Sequence, residues 1–141
     1  AREPDRAANA VSEVIRVAPV TPFTARITIE DMTYRDVAFP EGTIVFVCAH
    51  AANRDEAGGG ATLDITCEDA GKRALTFGAG IHYCLGASLA RAELQEALPI
   101  LARRLPDLRI DGEITWKPTT VGIWGPERLP ITFRPARMVP A

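Results

Sequence analysis

The 141-residue sequence predicts a mixed α+β fold in a single domain. Two amphipathic segments, residues 5–17 and about 86–105, predict helices because their apolar residues recur at spacings of three and four. Short β-branched or apolar runs, separated by Gly and Pro, lie between and after these helices and predict strands. Apolar residues make up 47% of the chain, which predicts a sizeable core, and the length leaves no room for two domains.

Composition and charge exclude several classes of partner. Sixteen Lys and Arg against eighteen Asp and Glu give a net charge of −2, which removes the electrostatic case for nucleic acid or an anionic membrane. No apolar stretch is long enough to span a bilayer, and the first residues are too charged for a signal peptide. Cys48, Cys67 and Cys84 are odd in number and lack Cys-x-x-Cys spacing, so they predict reduced thiols rather than disulfides or a zinc site. We therefore expect a cytoplasmic protein.

The first half of the chain predicts one long helix, two strands and an irregular surface segment. The helix at residues 5–17 is stopped by Pro19 and Pro22. Alternation predicts a strand at 25–30, and a β-branched apolar run predicts a buried strand at 43–47. The other expected features are a turn at 31–32, a run at 34–39 leading to a turn at 40–42, a short helix at 48–54, and a glycine-containing meander at 55–73.

The second half predicts a long helix followed by short strands. An apolar stripe that begins at Leu89 runs along the helix, and its acidic residues lie early while Arg103 and Arg104 lie late, in agreement with the helix dipole. Pro99 lies inside this pattern, so we expect a kink or a helix that restarts there. Glycine and proline then separate four strand candidates at residues 108–110, 114–116, 121–123 and 131–133.

A glycine-punctuated loop carries the candidate chemistry. Cys84 lies directly before the long helix, whose positive end favours thiolate over thiol, and a thiolate is a good ligand for a soft or intermediate metal. Gly78, Gly80 and Gly86 allow positive φ angles or the close approach of a flat group. The spacing fits neither a dinucleotide-binding fingerprint nor a phosphate loop. On these residues alone a structural cysteine is equally well supported, and a thiol nucleophile working with His82 is a further alternative.

The string from Phe77 to Arg91 closely resembles the haem-binding signature of the cytochrome P450 family, Phe-Gly-x-Gly-x-His-x-Cys-x-Gly followed by Leu-Ala-Arg. Upstream, Glu13 and Arg16 match the Glu-x-x-Arg motif of the family's K helix and are spaced to share one helix face. Arg26 follows ten residues later, where bacterial members usually place an arginine that binds a haem propionate. Residues 52–55 and 104–108 resemble two further family segments, so the resemblance covers about residues 7–135.

The resemblance implies the C-terminal part of a fold that is mainly α in the family, with a K helix, β-hairpin strands, a meander, a Cys-ligand loop, an L helix and terminal β-strands. It implies that Cys84 is the thiolate ligand of the iron of haem b, and that His82 and Arg26 hold the propionates. Phe77 would pack beside the sulfur, and the glycines would let the loop lie against the porphyrin. The implied cofactor-binding residues are Arg26, Phe77, Gly78, Gly80, His82, Cys84 and Gly86.

Glu13 and Arg16 are implied to be a structural pair that locks the K helix to the meander. Arg91 is implied to anchor the L helix rather than to contact substrate, with a contact to a haem propionate as the alternative. Two departures from the family pattern affect the pair. Glu56 stands where the family has proline, and residues 62–64 are Thr-Leu-Asp where an Arg-Phe-Asp segment supplies a third member of a triad. We therefore expect an incomplete triad, which holds less well when it is buried.

The implied activity is monooxygenation of a small apolar organic substrate, with O₂ and two electrons from a ferredoxin-type donor. The donor is expected to dock near Lys72, Arg73 and the Cys84 loop. No catalytic residue beyond the haem ligand is expected, because the family's long I helix has no counterpart upstream of Glu13. We therefore expect residues 1–141 to form one incomplete domain that lacks the distal half and exposes core surface. The alternative is a truncated or decayed remnant that at most binds haem.

Overall fold

The computed structural model describes residues 4–56, 59–66, 74–118 and 122–134, and it shows the predicted mixture of helices and short strands. The helices are α1 (Pro4–Val17), α2 (Ala49–Ala52) and α3 (Ala87–Arg104), with a 3₁₀ turn at Gly80–His82. The strands are β1 (Phe23–Ile27), β2 (Met32–Tyr34), β3 (Val37–Phe39), β4 (Ile44–Cys48), β5 (Arg109–Ile110), β6 (Thr115–Trp116), β7 (Pro126–Arg128) and β8 (Ile131–Thr132). They form four antiparallel pairs: β1–β4, β2–β3, β5–β8 and β6–β7.

The two long helices confirm the periodicity-based predictions and pack against each other. On α1, Val11 and Ile15 are buried, one turn apart on the same face. The α3 helix runs unbroken through Pro99, so the restart expected there does not occur. A proline removes one backbone donor, and the bonds on either side of Pro99 keep this helix continuous.

The β2–β3 hairpin corrects the predicted turn at residues 31–32. Met32 lies within β2, and the chain reverses instead at Arg35 and Asp36, with φ angles of 46° and 65°. A two-residue hairpin turn with both φ angles positive suits Asn or Gly, and neither is present here. The sequence therefore gives no signal for this turn. Both of its residues adopt the left-handed backbone conformation, which costs conformational energy in any residue other than glycine.

Replacing Asp36 by glycine is expected to stabilise the chain by about 1 kcal/mol. Glycine adopts a positive φ without the clash between Cβ and the carbonyl, and this gain exceeds the entropy that glycine adds to the unfolded chain. Urea unfolding of wild type and Asp36→Gly measures the difference. The control is Asp111→Gly, an exposed position outside the left-handed region, where the same exchange should be neutral or destabilising. A lower midpoint for Asp36→Gly would contradict the prediction.

Trp124 attaches the C-terminal strands to α2 and to the segment before β1. Its ring stacks on Trp116 of β6 with centroids 4.8 Å apart, and meets the His50 ring of α2 edge-on at 5.9 Å. The backbone N–H of Trp124 also donates to the carbonyl of Val20 at 2.6 Å. The strand predicted at 121–123 is wrong for Gly122 and Ile123, which lie outside any strand, while residue 121 falls outside the described residues. Pairing with β6 instead selects residues 126–128.

The apolar core is much smaller than the composition predicted. Among the described residues, the buried apolar side chains are Val11, Ile15, Pro19, Ala49 and Ala87. The chain exposes 11112 Å² of surface, whereas a compact protein of this mass exposes about 7,100 Å². The sequence therefore supplies apolar residues that this chain does not bury within itself. In the described part of the chain, no helix is long and apolar enough to cross a membrane.

Candidate functional site

The Cys84 loop, residues 77–86, leads into α3 and is held by backbone hydrogen bonds. Gly78 and Gly80 adopt φ angles of 73° and 66°, which only glycine tolerates freely. The Cys84 N–H donates to the carbonyl of Phe77 at 2.8 Å, and the Cys84 carbonyl accepts from the Ala87 N–H at 3.2 Å. The loop thus closes on itself and holds the exposed Cys84 thiol immediately before the N-terminus of α3.

Large apolar side chains close in sequence to that thiol are exposed. The exposed fractions are 97% for Ile81, 104% for Leu85 and 64% for Leu89. This segment therefore offers both a sulfur donor and unburied apolar side chains. An added Cβ at Gly80 would meet nothing within 4 Å, and one at Gly86 would reach Sγ of Cys84 at an ordinary 3.8 Å. The loop is therefore open on this side, and its donor and apolar residues fit a flat apolar metal complex such as haem.

Phe77 is held between two neighbours beside the loop. The guanidinium carbon of Arg91 lies 5.3 Å from the Phe77 ring centroid, and the Tyr83 ring meets it edge-on at 6.5 Å. Arg91 also donates to the Ser12 hydroxyl at 3.3 Å. Arg91 therefore fastens α3 to α1 and orients Phe77, in agreement with the anchoring role expected from the sequence.

Glu13 and Arg16, both on α1, form a buried ion pair. Nε and one terminal nitrogen of Arg16 donate to the two carboxylate oxygens of Glu13 at 2.7 and 2.6 Å, and each residue is only 2% exposed. This bidentate geometry is the strongest arrangement of an arginine and a carboxylate. The Asp64 N–H donates to Glu13 at 2.9 Å, so the meander also bonds to the carboxylate.

The meander wraps the Arg16 guanidinium with backbone carbonyls. Arg16 donates to the carbonyls of Asn53, Gly60 and Thr62 at 2.5, 2.6 and 2.8 Å. An added Cβ at Gly59 would lie 3.6 Å from the guanidinium carbon, so this glycine packs directly over Arg16. The departure from the family pattern at residues 62–64 predicts that the Glu13–Arg16 pair is weakly held. Backbone carbonyls and a backbone N–H compensate, because they contact the pair where the family pattern places an arginine.

The buried pair predicts acid-dependent stability. The Arg16 guanidinium, followed by the Asp64 N–H, holds the pKa of Glu13 below its usual range, while burial opposes this shift. A carboxyl with a lowered folded-state pKa contributes stability that is present above its unfolded pKa of about 4.3 and lost as the pH falls through the folded pKa. Urea unfolding between pH 7 and pH 3 should therefore show a fall that Glu13→Gln flattens. An unchanged slope in Glu13→Gln, or the same flattening in the exposed control Glu96→Gln, would contradict the assignment.

Asn53 is a buried hub that sequence reasoning missed. Its side chain is 0% exposed, and its amide donates to the Arg16 carbonyl at 3.0 Å and to the Thr76 hydroxyl at 2.8 Å. Its carbonyl oxygen accepts the Leu75 N–H at 2.6 Å. The available signal was the family-like segment at residues 52–55, but that segment does not reveal which distant groups Asn53 joins.

The structure brings most of the predicted site residues together. Phe77, Gly78, Gly80, His82, Cys84 and Gly86 share the loop, and His82 is exposed at the end of its 3₁₀ turn. Arg26 lies apart on β1, opposite Val45, where its exposed side chain donates to the Ala25 carbonyl at 2.8 Å. Arg26 also lines a cavity of about 440 Å³ between β1 and the β2–β3 hairpin. The predicted docking residues Lys72 and Arg73, and the third cysteine Cys67, fall outside the described residues.

Comparisons with known proteins agree with this arrangement. A family model described as Cytochrome P450 matches residues 7–57. The luteothin monooxygenase of Streptomyces thioluteus is 44% identical over 133 residues, which are 92% of this chain and 32% of that protein. The mycinamicin IV hydroxylase/epoxidase of Micromonospora griseorubida is 37% identical over 135 residues, which are 92% of this chain and 34% of that protein.

Solved structures agree as well. The polyketide synthase cytochrome P450 PksS of Bacillus subtilis superposes with a TM-score of 0.85 at 33% identity, covering 94% of this chain and 35% of that one. Cytochrome P450 CYP109Q5 of Chondromyces apiculatus gives 0.86 at 31% identity, covering 96% and 35%. The chain spans about a third of the length of the relatives that it matches. The chain belongs to the cytochrome P450 family and corresponds to the C-terminal portion of its bacterial members.

Proposed function

We propose that this chain forms the proximal haem-binding part of a monooxygenase that inserts one oxygen atom of O₂ into an organic substrate. The observation that carries the proposal is the exposed Cys84 thiol just before α3, in a segment whose apolar residues Ile81, Leu85 and Leu89 are also exposed. The names of two relatives, a monooxygenase and a hydroxylase/epoxidase, support the reaction class. Both are about three times as long as this chain, so the proposed activity is that of a longer polypeptide.

Haem b is the cofactor that these residues would hold. Cys84 would supply the thiolate ligand, and His82 and Arg26 would donate hydrogen bonds to the propionates. Phe77, fixed by Arg91 and Tyr83, would pack beside the ligand sulfur. When bound, haem supplies the oxygen activation and electron transfer that monooxygenation needs.

The chain's own contribution is to hold the Cys84 sulfur in place immediately before α3. Electron donation from a thiolate strengthens oxygen activation at haem, whereas a neutral thiol or an alcohol does not provide it. The loop's own backbone bonds and the glycine conformations hold the sulfur toward the open side.

The exposed apolar faces support an incomplete domain completed by further polypeptide. Ile100 and Leu101 on α3, together with Ile27 and Ile44 on the β1–β4 pair, stay exposed although strands and helices of this kind normally bury one face. We infer that the segment covering them carries the distal wall and the site for a small apolar substrate. A ferredoxin-type protein is the inferred electron donor and the cytoplasm the inferred location.

Haem reconstitution tests the proposal in two arms. Haemin is added to the 141-residue chain alone, and to the chain co-expressed with the remaining two thirds of luteothin monooxygenase, before the ferrous–carbon monoxide spectra are recorded. A red-shifted, thiolate-type Soret band in either arm is the expected result. A band in the second arm alone supports the incomplete domain as well. A histidine-type band or no band in both arms would overturn the proposal and favour a remnant without a working haem site.

A further inference from the structure

A buried polar cluster of Asn53 and Thr76 stands at the entrance to the Cys84 loop. Asn53 Nδ2 donates to the Thr76 hydroxyl at 2.8 Å, and that hydroxyl donates to the carbonyl of Ile15 on α1 at 2.7 Å. Asn53 Oδ1 accepts the backbone N–H of Leu75 at 2.6 Å. Two consecutive residues, 75 and 76, are therefore fixed to the end of α1 by directional bonds rather than by apolar packing.

The fixed residues lead straight to the ligand cysteine. Phe77 follows Thr76, and its carbonyl accepts the Cys84 N–H at 2.8 Å. The carbonyl of Leu75 accepts the Gly78 N–H at 2.9 Å, which sets the first bend of the loop. The path from Asn53 to the backbone of Cys84 thus runs through bonded groups without a gap, while the far side of the loop is open.

Because the bonded groups are buried, these hydrogen bonds contribute to stability. Asn53 is 0% exposed and Thr76 is half-buried, so a lost partner is not fully replaced by water. A buried polar group left without its bond destabilises the fold. Removal of the Thr76 hydroxyl would leave one Asn53 hydrogen and the Ile15 carbonyl unpaired, and the bond between the Leu75 N–H and Asn53 Oδ1 alone would then hold the entrance segment.

We propose that Asn53 and Thr76 are positioning residues that set where the Cys84 sulfur stands for haem ligation. The proposal rests on the haem-binding function above. It differs from a role in general stability because it predicts a local effect on Cys84. That local effect is measurable without haem, so failure of the proposal can be told apart from failure of the haem-binding function.

Amide hydrogen exchange in the haem-free chain is the first test. Thr76→Val should speed the exchange of the Cys84 amide at least tenfold, with the Ile15 amide in α1 and the Leu94 amide in α3 changing much less. Thr76→Ser keeps the hydroxyl and should restore wild-type exchange at Cys84. The matched control Thr115→Val, at an exposed position on β6, should leave Cys84 unchanged. Asn53→Ala should reproduce the Thr76→Val pattern with a larger effect.

The outcomes separate cleanly. Selective loss of protection at Cys84, rescued by Thr76→Ser, supports the proposal. Unchanged Cys84 exchange in Thr76→Val, or an equal loss of protection at all three amides, would overturn it, the latter by showing a structural role alone. In the reconstituted protein, the proposal further expects Thr76→Val to lower the fraction of ferrous–carbon monoxide complex with a thiolate-type band. An unchanged fraction in Thr76→Val, or a fraction lowered equally in Thr76→Val and Thr76→Ser, would also overturn it.

Discussion

Cys84→Ser is expected to remove the thiolate-type ferrous–carbon monoxide band completely. Serine is nearly isosteric, so the loop bonds through the Cys84 N–H and carbonyl are kept. The hydroxyl, however, does not ionise near neutral pH and is a poor donor to a soft or intermediate metal. The expected result is therefore an unchanged fold with a lost axial thiolate. The measurement is the spectrum of the reconstituted variant beside that of the wild type.

Cys48→Ser is the matched control. Cys48 is half-buried at the N-cap of α2, where its sulfur accepts the Ala51 N–H at 3.4 Å. Serine is a preferred N-cap residue, so this variant should fold and retain the thiolate-type band. A band that survives Cys84→Ser but is lost in Cys48→Ser would contradict the assignment of Cys84 as the ligand.

The sequence predicted the features that arise from local pattern. Periodic apolar residues located α1 and α3, and the glycines around Cys84 located the loop, because both effects act within a few residues. The positive φ angles of Arg35 and Asp36 were missed since those residue types do not mark such a turn. The core was overestimated because apolar content measures what a chain is able to bury, whereas burial itself depends on what lies opposite.

Long-range bonds account for the rest of the differences. Asn53 joins groups 22 to 37 residues away, and Thr76 bonds across 61 residues to Ile15, so no local pattern reveals either role. Gly59 and Gly60 were interpreted as part of an irregular surface meander. In the structure, one packs over Arg16 and the other accepts its hydrogen bond, with φ angles of 110° and 78°. The meander departs from the family pattern here, and its backbone carbonyls form a clamp around the Arg16 guanidinium.

Arg16→Ala is expected to destabilise the chain by about 3–5 kcal/mol, which is the range for breaking a buried pair on one side. The loss leaves the Glu13 carboxylate buried without its partner and removes the donor that the carbonyls of Asn53, Gly60 and Thr62 share. Since small domains are stable by only about 5–15 kcal/mol, this loss is a large fraction of the total stability. Urea unfolding at 25 °C measures the change, and Arg103→Ala, exposed in the last turn of α3, is the control.

Arg16→Lys should rescue little of this loss. A single ammonium group has three donors at one point, whereas the guanidinium reaches two carboxylate oxygens and three carbonyls from three separate nitrogens. Recovery to wild-type stability in Arg16→Lys would show that charge alone is needed, and would contradict the clamp.

A double-mutant cycle with Glu13→Gln separates the ion pair from the carbonyl clamp. If Arg16 acted mainly through Glu13, the two single variants would cost the same. The clamp predicts instead that Arg16→Ala costs more, because it also orphans the meander carbonyls that Glu13 does not touch. The double variant should cost less than Arg16→Ala alone, because Glu13→Gln then removes the buried carboxylate charge that has lost its partner. A double variant that costs the sum of the singles would mean that the two side chains stabilise the helix and meander independently.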